Sequence, residues 1–337
     1  MKKRITFNMQ ILKKLKTEFN YRLHLDWKKG DFGCIEFDNG VKHYITRGDI
    51  RVNRIGPYML AGNKHYTDAF LKKNKYPIIK SDVFYSEDYC ADNGIDKGIV
   101  EAIQFGNKLS YPLIVKPNEG LQGNGVERVD DEKSLKKALF KLFKNYDKVL
   151  VQKFFTGDDY RILVYNNKFI SAYRRMPLTV TGDGGSNIQE LLDERIVEYQ
   201  DSSRKFALDI QKIKSVLKRQ KKSLKTIPER GERVCLLDNA NLSAGGYAED
   251  VSDIIHDDYK TAAIKAAADL GLRLCGVDLM VKGDITKKPK KNMWYFLELN
   301  ASPGFHNFSE LNIKAYTRIE KLYKQILKDI KSKKLGF

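Results

Sequence analysis

Several features that mark particular protein classes are scarce or missing in this sequence. There are only four cysteines, Cys34, Cys90, Cys235 and Cys275, and they form no CxxC pair and no metal-ligand spacing. Scattered thiols of this kind are typical of a reducing, cytoplasmic protein. No apolar run reaches the roughly 18 residues of a membrane span, and the basic start MKKRITFNMQILKKLK lacks the apolar core of a signal peptide. No internal repeat is visible, which argues against a solenoid.

Acidic residues are few relative to basic ones, 43 against 61, and the formal net charge is +18. An excess of this size indicates an anionic partner, or else lysines that are solvated over the surface, and charge alone leaves both interpretations open. Lysines cluster at 213–225 and 287–291 without zinc-finger spacing, an aromatic RNA-binding signature or a homeodomain-like run. The composition therefore does not indicate a nucleic-acid-binding protein.

The 337 residues are enough for two or three modest domains. Residues 1–60 look like a small N-terminal α/β unit, and alternating helices and strands predict a central subdomain over 61–152. A C-terminal subdomain is predicted over 153–337, with a mobile insertion near 176–246 that is rich in glycine and charge. The segment YRILVYNNKFISAYRR is typical of a strand hairpin that turns at Asn166-Asn167.

One segment, IVKPNEGLQGNGV at 114–126, contains three glycines after a strand-like run. Lys116 ends that run, and Gly120, Gly123 and Gly125 would let backbone N–H groups approach a phosphate. The spacing is neither that of a Walker A loop nor that of a dinucleotide fingerprint. Taken alone, the segment is consistent with a surface turn or with a phosphate-binding loop.

Carboxylates interrupt two of the most apolar segments. Asp278 lies in GVDLM and Glu298 in FLELN, and Asn300 follows two positions later. Alternate side chains of a strand share a face, so Glu298 and Asn300 point the same way. Ionised carboxylates in apolar strands are costly unless they are paired or bind metal. If the two strands are neighbours, the three side chains form an all-oxygen cluster suited to Mg²⁺; the alternative is carboxylates bonded to nearby Lys or Arg.

Seven segments occur in an order that resembles the ATP-grasp superfamily of carboxylate–amine ligases. They are AGNKHYT (61–67), IVKPNEGLQGNGV (114–126), QKFFTGDDYRILV (152–164), RRMPLTVTGDGGSNI (174–188), NLSAGGYAEDVSD (241–253), CGVDLMV (275–281) and LELNASPG (297–304). They are most similar to the ATP-grasp portion of cyanophycin synthetase and to the glutathione-synthetase module of the bifunctional bacterial enzyme. The resemblance covers roughly residues 61–305. It implies an α/β (α+β) ATP-grasp fold, with the nucleotide held between two α/β subdomains.

The resemblance also implies roles for individual residues. The nucleotide would be contacted by Lys64, Lys116, Glu119, Gly120, Gly123, Gly125, Gln152, Lys153, Phe154, Phe155 and Asp159. The catalytic residues lining the reaction site would be Arg161, Arg174, Arg175 and Asn241. Mg²⁺ would be held by Asp278, Glu298 and Asn300. Gln152 stands where the family hinge often carries an acidic residue.

The implied activity is ATP-dependent amide formation, in which a carboxylate takes the γ-phosphate of ATP and an amine then displaces phosphate from the acyl phosphate. ATP and two Mg²⁺ ions are the implied cofactors, with Mn²⁺ as a substitute. Acidic amino acids or peptides are the expected substrates, and the family is often dimeric or tetrameric, which leaves a homo-oligomer open for this chain. The halves that complete the two similar enzymes are not visible in this sequence, so neither product follows.

Two alternatives remain. One is an ATP-grasp kinase or thioester-forming ligase with a non-amine acceptor. The other is a polyanion-binding protein whose nucleotide site is vestigial, for which binding would fall steeply with salt. His65, His256 and His306 are acid–base candidates on general grounds, but polar surface or hydrogen-bonded histidines are the more common interpretation. His306 is the strongest of the three, because it closely follows LELNASPGF.

Overall fold

The computed structural model describes residues 6–26, 32–46, 49–120, 124–201, 208–238, 240, 242 and 245–334. The first elements are α1 (Phe7–Phe19), β1 (Tyr21–Leu25), β2 (Phe32–Phe37), β3 (Lys42–Thr46), α2 (Ile55–Gly62), α3 (Lys64–Lys73), β4 (Ser81–Tyr85), α4 (Glu87–Asn93), α5 (Ile99–Leu109), β5 (Leu113–Pro117), β6 (Glu127–Val129), α6 (Glu132–Phe143) and β7 (Lys148–Lys153). They are followed by β8 (Asp158–Tyr165), β9 (Lys168–Met176), β10 (Thr179–Thr181), α7 (Ile188–Asp201), α8 (Ile210–Arg219), β11 (Arg233–Cys235), β12 (Tyr247–Asp250), α9 (Asp257–Asp269), β13 (Leu274–Val281), β14 (Trp294–Asn300), α10 (His306–Ser309) and α11 (Ile313–Lys331). Over the ranges described, none of these helices has the length and apolarity that crossing a membrane requires.

The chain divides into two compact units. The first comprises Met1–Ile78, Tyr160–Tyr173 and Asp250–Phe337, and the second comprises Ile79–Asp159 and Arg174–Glu249. One unit boundary lies between α3 and β4, and the others fall inside β8, β9 and β12. The domain limits that the sequence suggests, at 60 and 152, stay a prediction.

The first unit contains a three-stranded antiparallel sheet, β1-β2-β3, and most of a five-stranded sheet in the order β12-β9-β8-β13-β14. Its core brings the alanine-rich face of α9, with Ala263, Ala266 and Ala267, together with buried residues of β13 such as Val277 and Leu279. Small alanine side chains let a helix approach a sheet closely, so α9 packs directly against β13. The hairpin predicted between β8 and β9 is confirmed, and Asn166 and Asn167 adopt the positive φ of a two-residue turn, 45° and 59°.

The second unit contains an antiparallel four-stranded sheet in the order β4-β7-β5-β6. Helices α5 and α6 cover it, with Leu135 and Leu139 in the shared core. Gly106 lets the two helices meet, because a Cβ there would lie 2.5 Å from a Leu135 methyl. Asp131 caps α6 by accepting a hydrogen bond from the Ser134 N–H at 2.7 Å. A smaller core in the same unit joins the β10-β11 pair to α7 and α8.

Candidate active site

Three neighbouring strands of the first unit carry the predicted carboxylates and one predicted arginine. Strands β13 and β14 are antiparallel neighbours, and Asp278 is the register partner of Glu298. Directly opposed residues in an antiparallel pair share a face, so both carboxylates lie on one face of the sheet. Gly276 is the partner of Asn300, whose side chain shares the face of Glu298. The register shifts just after Asp278, and such a bulge re-aims the side chains next to it.

Arg161, on the adjacent strand β8, makes a bidentate ion pair with Asp278. Its Nε lies 2.6 Å from Oδ1, and its Nη2 lies 2.7 Å from Oδ2. Both side chains are largely removed from solvent, 14% and 3% exposed. Burial opposes the charge of Arg161, but the facing Asp278 carboxylate more than offsets this and raises the pKa of Arg161.

Gly276 makes room for this ion pair. A Cβ at this position would lie 3.3 Å from Arg161 Cδ and 2.9 Å from Pro303 Cβ. The pattern of apolar strand residues gave no reason to single out this glycine. Its position two residues before the buried Asp278 is the only signal in the sequence that could have identified it.

Lys64 is the cation beside Glu298. Its Nζ lies 3.6 Å from Glu298 Oε1, and both side chains are partly exposed. Asn63 caps α3 by accepting a hydrogen bond from the Tyr66 N–H, which fixes Lys64 as the first residue of the helix. Asp278 and Glu298 therefore each have a cationic partner. This is the alternative to a metal site that the sequence left open, in which the carboxylates bond to nearby Lys or Arg.

The donor set fits a hard divalent cation that also binds phosphate oxygens. Asp278, Glu298 and Asn300 offer only oxygen on this face, and a carboxylate keeps spare lone pairs after accepting two hydrogen bonds. Among the residues that the structure describes, no group of three or more His, Cys, Asp or Glu side chains is placed to hold a metal ion. A site with two carboxylates and one amide suits Mg²⁺, which keeps waters and phosphate oxygens as ligands instead of entering an all-protein cage.

In the second unit, Lys116 on β5 and Gln152 on β7 are buried together. Lys116 Nζ donates to Gln152 Oε1 at 3.1 Å. The two residues are 9% and 3% exposed. Gln152 thus serves as a neutral partner that orients the ammonium group, at a position where an acidic side chain would form an ion pair with it.

The glycine loop begins and ends against Pro117. Gly125 has φ 72°, and a Cβ there would lie 2.8 Å from Pro117 Cγ, so only glycine fits. Gly120 and Glu119 are exposed near the start of the loop. Gly123 lies outside the described residues, as does the predicted catalytic residue Asn241.

The end of β7 and the residue that follows it are hydrogen-bonded within their own unit. The N–H of Lys153 donates to Lys80 O at 2.9 Å, and the N–H of Phe154 donates to Pro112 O at 3.2 Å. The Arg128 guanidinium lies 4.6 Å from the centre of the Phe154 ring. Phe155 follows Phe154 directly and leads toward β8. In the segment Val151–Phe155, which the resemblance predicts to hold adenine, the N–H groups of Lys153 and Phe154 are thus already used.

Arg174 and Arg175 pair with the two aspartates that begin β8. Arg175 donates from Nε and Nη2 to Asp159 Oδ1, at 3.0 and 2.6 Å. Arg174 Nη2 donates to Asp158 Oδ1 at 2.6 Å. The sequence did not foresee these pairs, because they depend on the register of β8 against β9.

Family models match two segments of this chain, the D-ala D-ala ligase C-terminus at residues 73–225 and the RimK-like ATP-grasp domain at residues 238–322. Cyanophycin synthetase from Geminocystis herdmanii is 32% identical over 255 residues, which cover 73% of this chain and 28% of that protein. The glutathione biosynthesis bifunctional protein of Clostridium perfringens is 29% identical over 286 residues, 81% of this chain and 36% of that protein. The chain therefore spans less than half the length of these relatives.

The fold of a solved structure agrees with the sequence relatives. A bifunctional glutathione synthetase from Pasteurella multocida superimposes with a TM-score of 0.59 at 21% identity, over 94% of this chain and 44% of that one. This similarity concerns the fold alone. The matched family models, the relatives and the fold agree with the resemblance seen in the seven segments. The chain belongs to the ATP-grasp superfamily.

Proposed function

We propose that the protein is an ATP-dependent carboxylate–amine ligase that forms an amide through an acyl phosphate and releases ADP and phosphate. The observation that carries the proposal is the arrangement on β8, β13 and β14. There, Asp278 and Glu298 share one face with Asn300, and each carboxylate has a cation beside it. Relatives named cyanophycin synthetase and glutathione biosynthesis protein support a bond-forming reaction. Their names do not favour the kinase or thioester alternative.

In this proposal, Asp278, Glu298 and Asn300 hold Mg²⁺. When bound, Mg²⁺ neutralises charge on the nucleotide phosphates. Two ions, with Mn²⁺ as a substitute, are part of the proposal. Arg161 fixes the carboxylate of Asp278, since two parallel N–H···O bonds leave that group one orientation. Lys64, beside Glu298, is placed to contact a phosphate oxygen.

Residues of the second unit would contact the rest of the nucleotide. Lys116, oriented by Gln152, and the loop with Glu119, Gly120, Gly123 and Gly125 would bind phosphates. Lys153, Phe154 and Phe155 would hold adenine, and Asp159 the ribose or the substrate. Fixed donors of this kind suit phosphoryl transfer, which depends on positioning and charge neutralisation more than on covalent catalysis.

The chemistry then proceeds in two steps. A substrate carboxylate oxygen attacks the γ-phosphorus of ATP and ADP leaves, which gives the acyl phosphate. The amine attacks the acyl carbon, and phosphate departs with the former carboxylate oxygen. Arg174, Arg175 and Asn241 would stabilise the charge that develops on the acyl oxygen. Closure of the glycine loop would exclude water from the acyl phosphate.

Acidic amino acids or peptides are the proposed substrates, because the net charge of +18 favours anionic ligands. A cytoplasmic location and a homo-oligomeric state belong to the same proposal. The test is ADP release with Mg²⁺·ATP against amino acids and dipeptides, alone and in pairs, with product masses followed. Release that requires both a carboxylate and an amine, with the mass of the condensation product, supports the ligase. A phosphorylated product would instead establish a kinase.

A further inference from the structure

Asn53, between β3 and α2, makes four hydrogen bonds to the ends of β13 and β14. Its Oδ1 accepts from the N–H groups of Arg273 at 2.7 Å and Leu274 at 3.0 Å. Its Nδ2 donates to the carbonyl oxygens of Leu274 at 2.8 Å and Ala301 at 2.7 Å. A carboxamide has two N–H donors and two oxygen lone pairs, and here all four are used. One side chain therefore fixes both strand ends.

The strand ends joined by Asn53 are those next to the proposed metal ligands. Asn300 pairs with Gly276, and Ala301, which Asn53 contacts, directly follows Asn300. Glu298 lies two residues before Asn300 and opposite Asp278. A shift of β14 relative to β13 at this end would change the spacing of all three oxygen-bearing side chains. The bulge beside Asp278 makes the register here less well determined by strand pairing alone.

The backbone that carries Asn53 is itself held in place. Ile50 and Val52 are buried at 2% and 1% exposure. The carbonyl oxygen of Ile50 bonds to the imidazole of His43 on β3. The N–H of Arg51 donates to Asp49 Oδ1 at 2.9 Å. The N-terminal sheet thus provides a fixed base from which the Asn53 side chain reaches the two strands.

We propose that Asn53 is a positioning residue for the metal site, through which the N-terminal segment sets the geometry of Asp278, Glu298 and Asn300. This inference rests on the proposed function, because it takes these three residues as metal ligands. Outer residues that orient metal ligands typically contribute about 10- to 100-fold to metal affinity. A purely structural role would change stability and leave metal affinity in the folded protein unaffected.

The test is Mn²⁺ binding to the full chain in the presence of ADP, with free Mn²⁺ measured by electron paramagnetic resonance. Asn53→Ala removes all four bonds. Asn53→Asp keeps the shape and the accepted bonds but places an unprotonated oxygen against two carbonyl oxygens. Asn39→Ala is the matched control, because Asn39 is in the same unit and its side chain likewise hydrogen-bonds backbone groups, here those of Lys331 and Val41. Near-UV circular dichroism confirms that each variant is folded.

We expect both Asn53 variants to bind Mn²⁺ at least about tenfold more weakly, with Asn39→Ala like the wild type. Wild-type Mn²⁺ affinity in a folded Asn53 variant would overturn the inference, as would loss of the fold in both variants, since the side chain would then serve the fold as a whole. Glu298→Gln separates the two proposals. If it leaves Mn²⁺ binding intact, the metal site itself is wrong; if it abolishes binding while the Asn53 variants do not, only the positioning role is wrong.

Discussion

At the scale of single residues, the site is dominated by ion pairs, which range from buried to partly exposed. Arg161 and Asp278 are the clearest case, with two short bonds and 14% and 3% side-chain exposure. A buried pair adds little net stability, because desolvation of both charges offsets their attraction. Removal of one partner is different, since it leaves a charge in an apolar strand. The pair therefore serves orientation more than stability.

Replacement of Arg161 by alanine should reveal this asymmetry. We expect the variant to lose about 3–5 kcal/mol of unfolding free energy, because Asp278 becomes an unpaired buried charge. The double replacement Arg161→Met with Asp278→Leu should lose clearly less than the two single replacements added together. Urea unfolding measures the free energy of unfolding of the single and the double variants. A single-variant loss under about 1 kcal/mol would show that the pair is effectively solvated.

Glu298→Gln should abolish ATP-dependent activity and leave the fold intact. The amide keeps the shape of the side chain but removes the negative charge that the proposed Mg²⁺ site requires. Glu320→Gln is the matched control, because Glu320 also loses an ion pair with a lysine, Lys14, and takes no part in the proposed site. Steady-state ADP release and circular dichroism give the two readouts. Wild-type turnover in Glu298→Gln would refute the metal assignment.

At the scale of elements, the relation between β8, β13 and the loop after β14 depends on one glycine. Gly276→Ala would place a methyl group 2.9 Å from Pro303 Cβ and 3.3 Å from Arg161 Cδ, so one of them must move. Since a misplacement of about 1 Å can cost roughly 10²-fold in rate, we expect a loss of that order in kcat/KM. Gly56→Ala, where nothing lies within 4 Å, is the control. Equal activity of both variants would contradict this packing argument.

The TGDGGSN turn before α7 is organised by one carboxylate. Asp183 accepts from the Gly185 N–H at 2.8 Å and from the Ser186 N–H and hydroxyl at 2.7 Å each. Bonds from the Ser186 hydroxyl, and then from the two N–H groups, lower the pKa of Asp183 from 3.8 to about 2. A lowered folded-state pKa means that the stabilisation is present above pH 3.8 and is lost as the pH falls toward 2.

Asp183→Asn should therefore be less stable than the wild type above about pH 4, with the difference shrinking toward pH 2. Urea unfolding of both proteins across this range measures the difference. Asp193→Asn, which changes an exposed carboxylate on α7, is the control. A difference that persists unchanged at the acidic end would show that the Asp183 charge has no part in the turn.

Sequence patterns were informative wherever a local rule governs the structure. The Asn166-Asn167 pair predicted the hairpin, because few residue types accept positive φ. The apolar runs around Asp278 and Glu298 predicted that both segments are strands. The sequence did not establish that these two strands pair, nor whether the carboxylates contact a metal ion or basic side chains. The Arg161–Asp278 and Arg175–Asp159 pairs depend on strand order and register, and the bonds of Asn53 join residues more than 200 positions apart. No short-range pattern encodes such contacts.

At the scale of the whole molecule, the proposed site residues are distributed over both compact units. Arg161, Asp278, Glu298 and Lys64 belong to the first, and Lys116 with the glycine loop belongs to the second. Each unit has its own core, so each set of side chains is oriented independently by its own packing.

The most direct measurement of the central claim follows the carboxylate oxygen. The carboxylate substrate found in the ADP-release screen is labelled with ¹⁸O, and the phosphate released with amide product is analysed by mass spectrometry. The account predicts one ¹⁸O atom in each phosphate, because that oxygen attacks the γ-phosphorus and leaves with it. Unlabelled phosphate alongside amide product would contradict the acyl-phosphate mechanism.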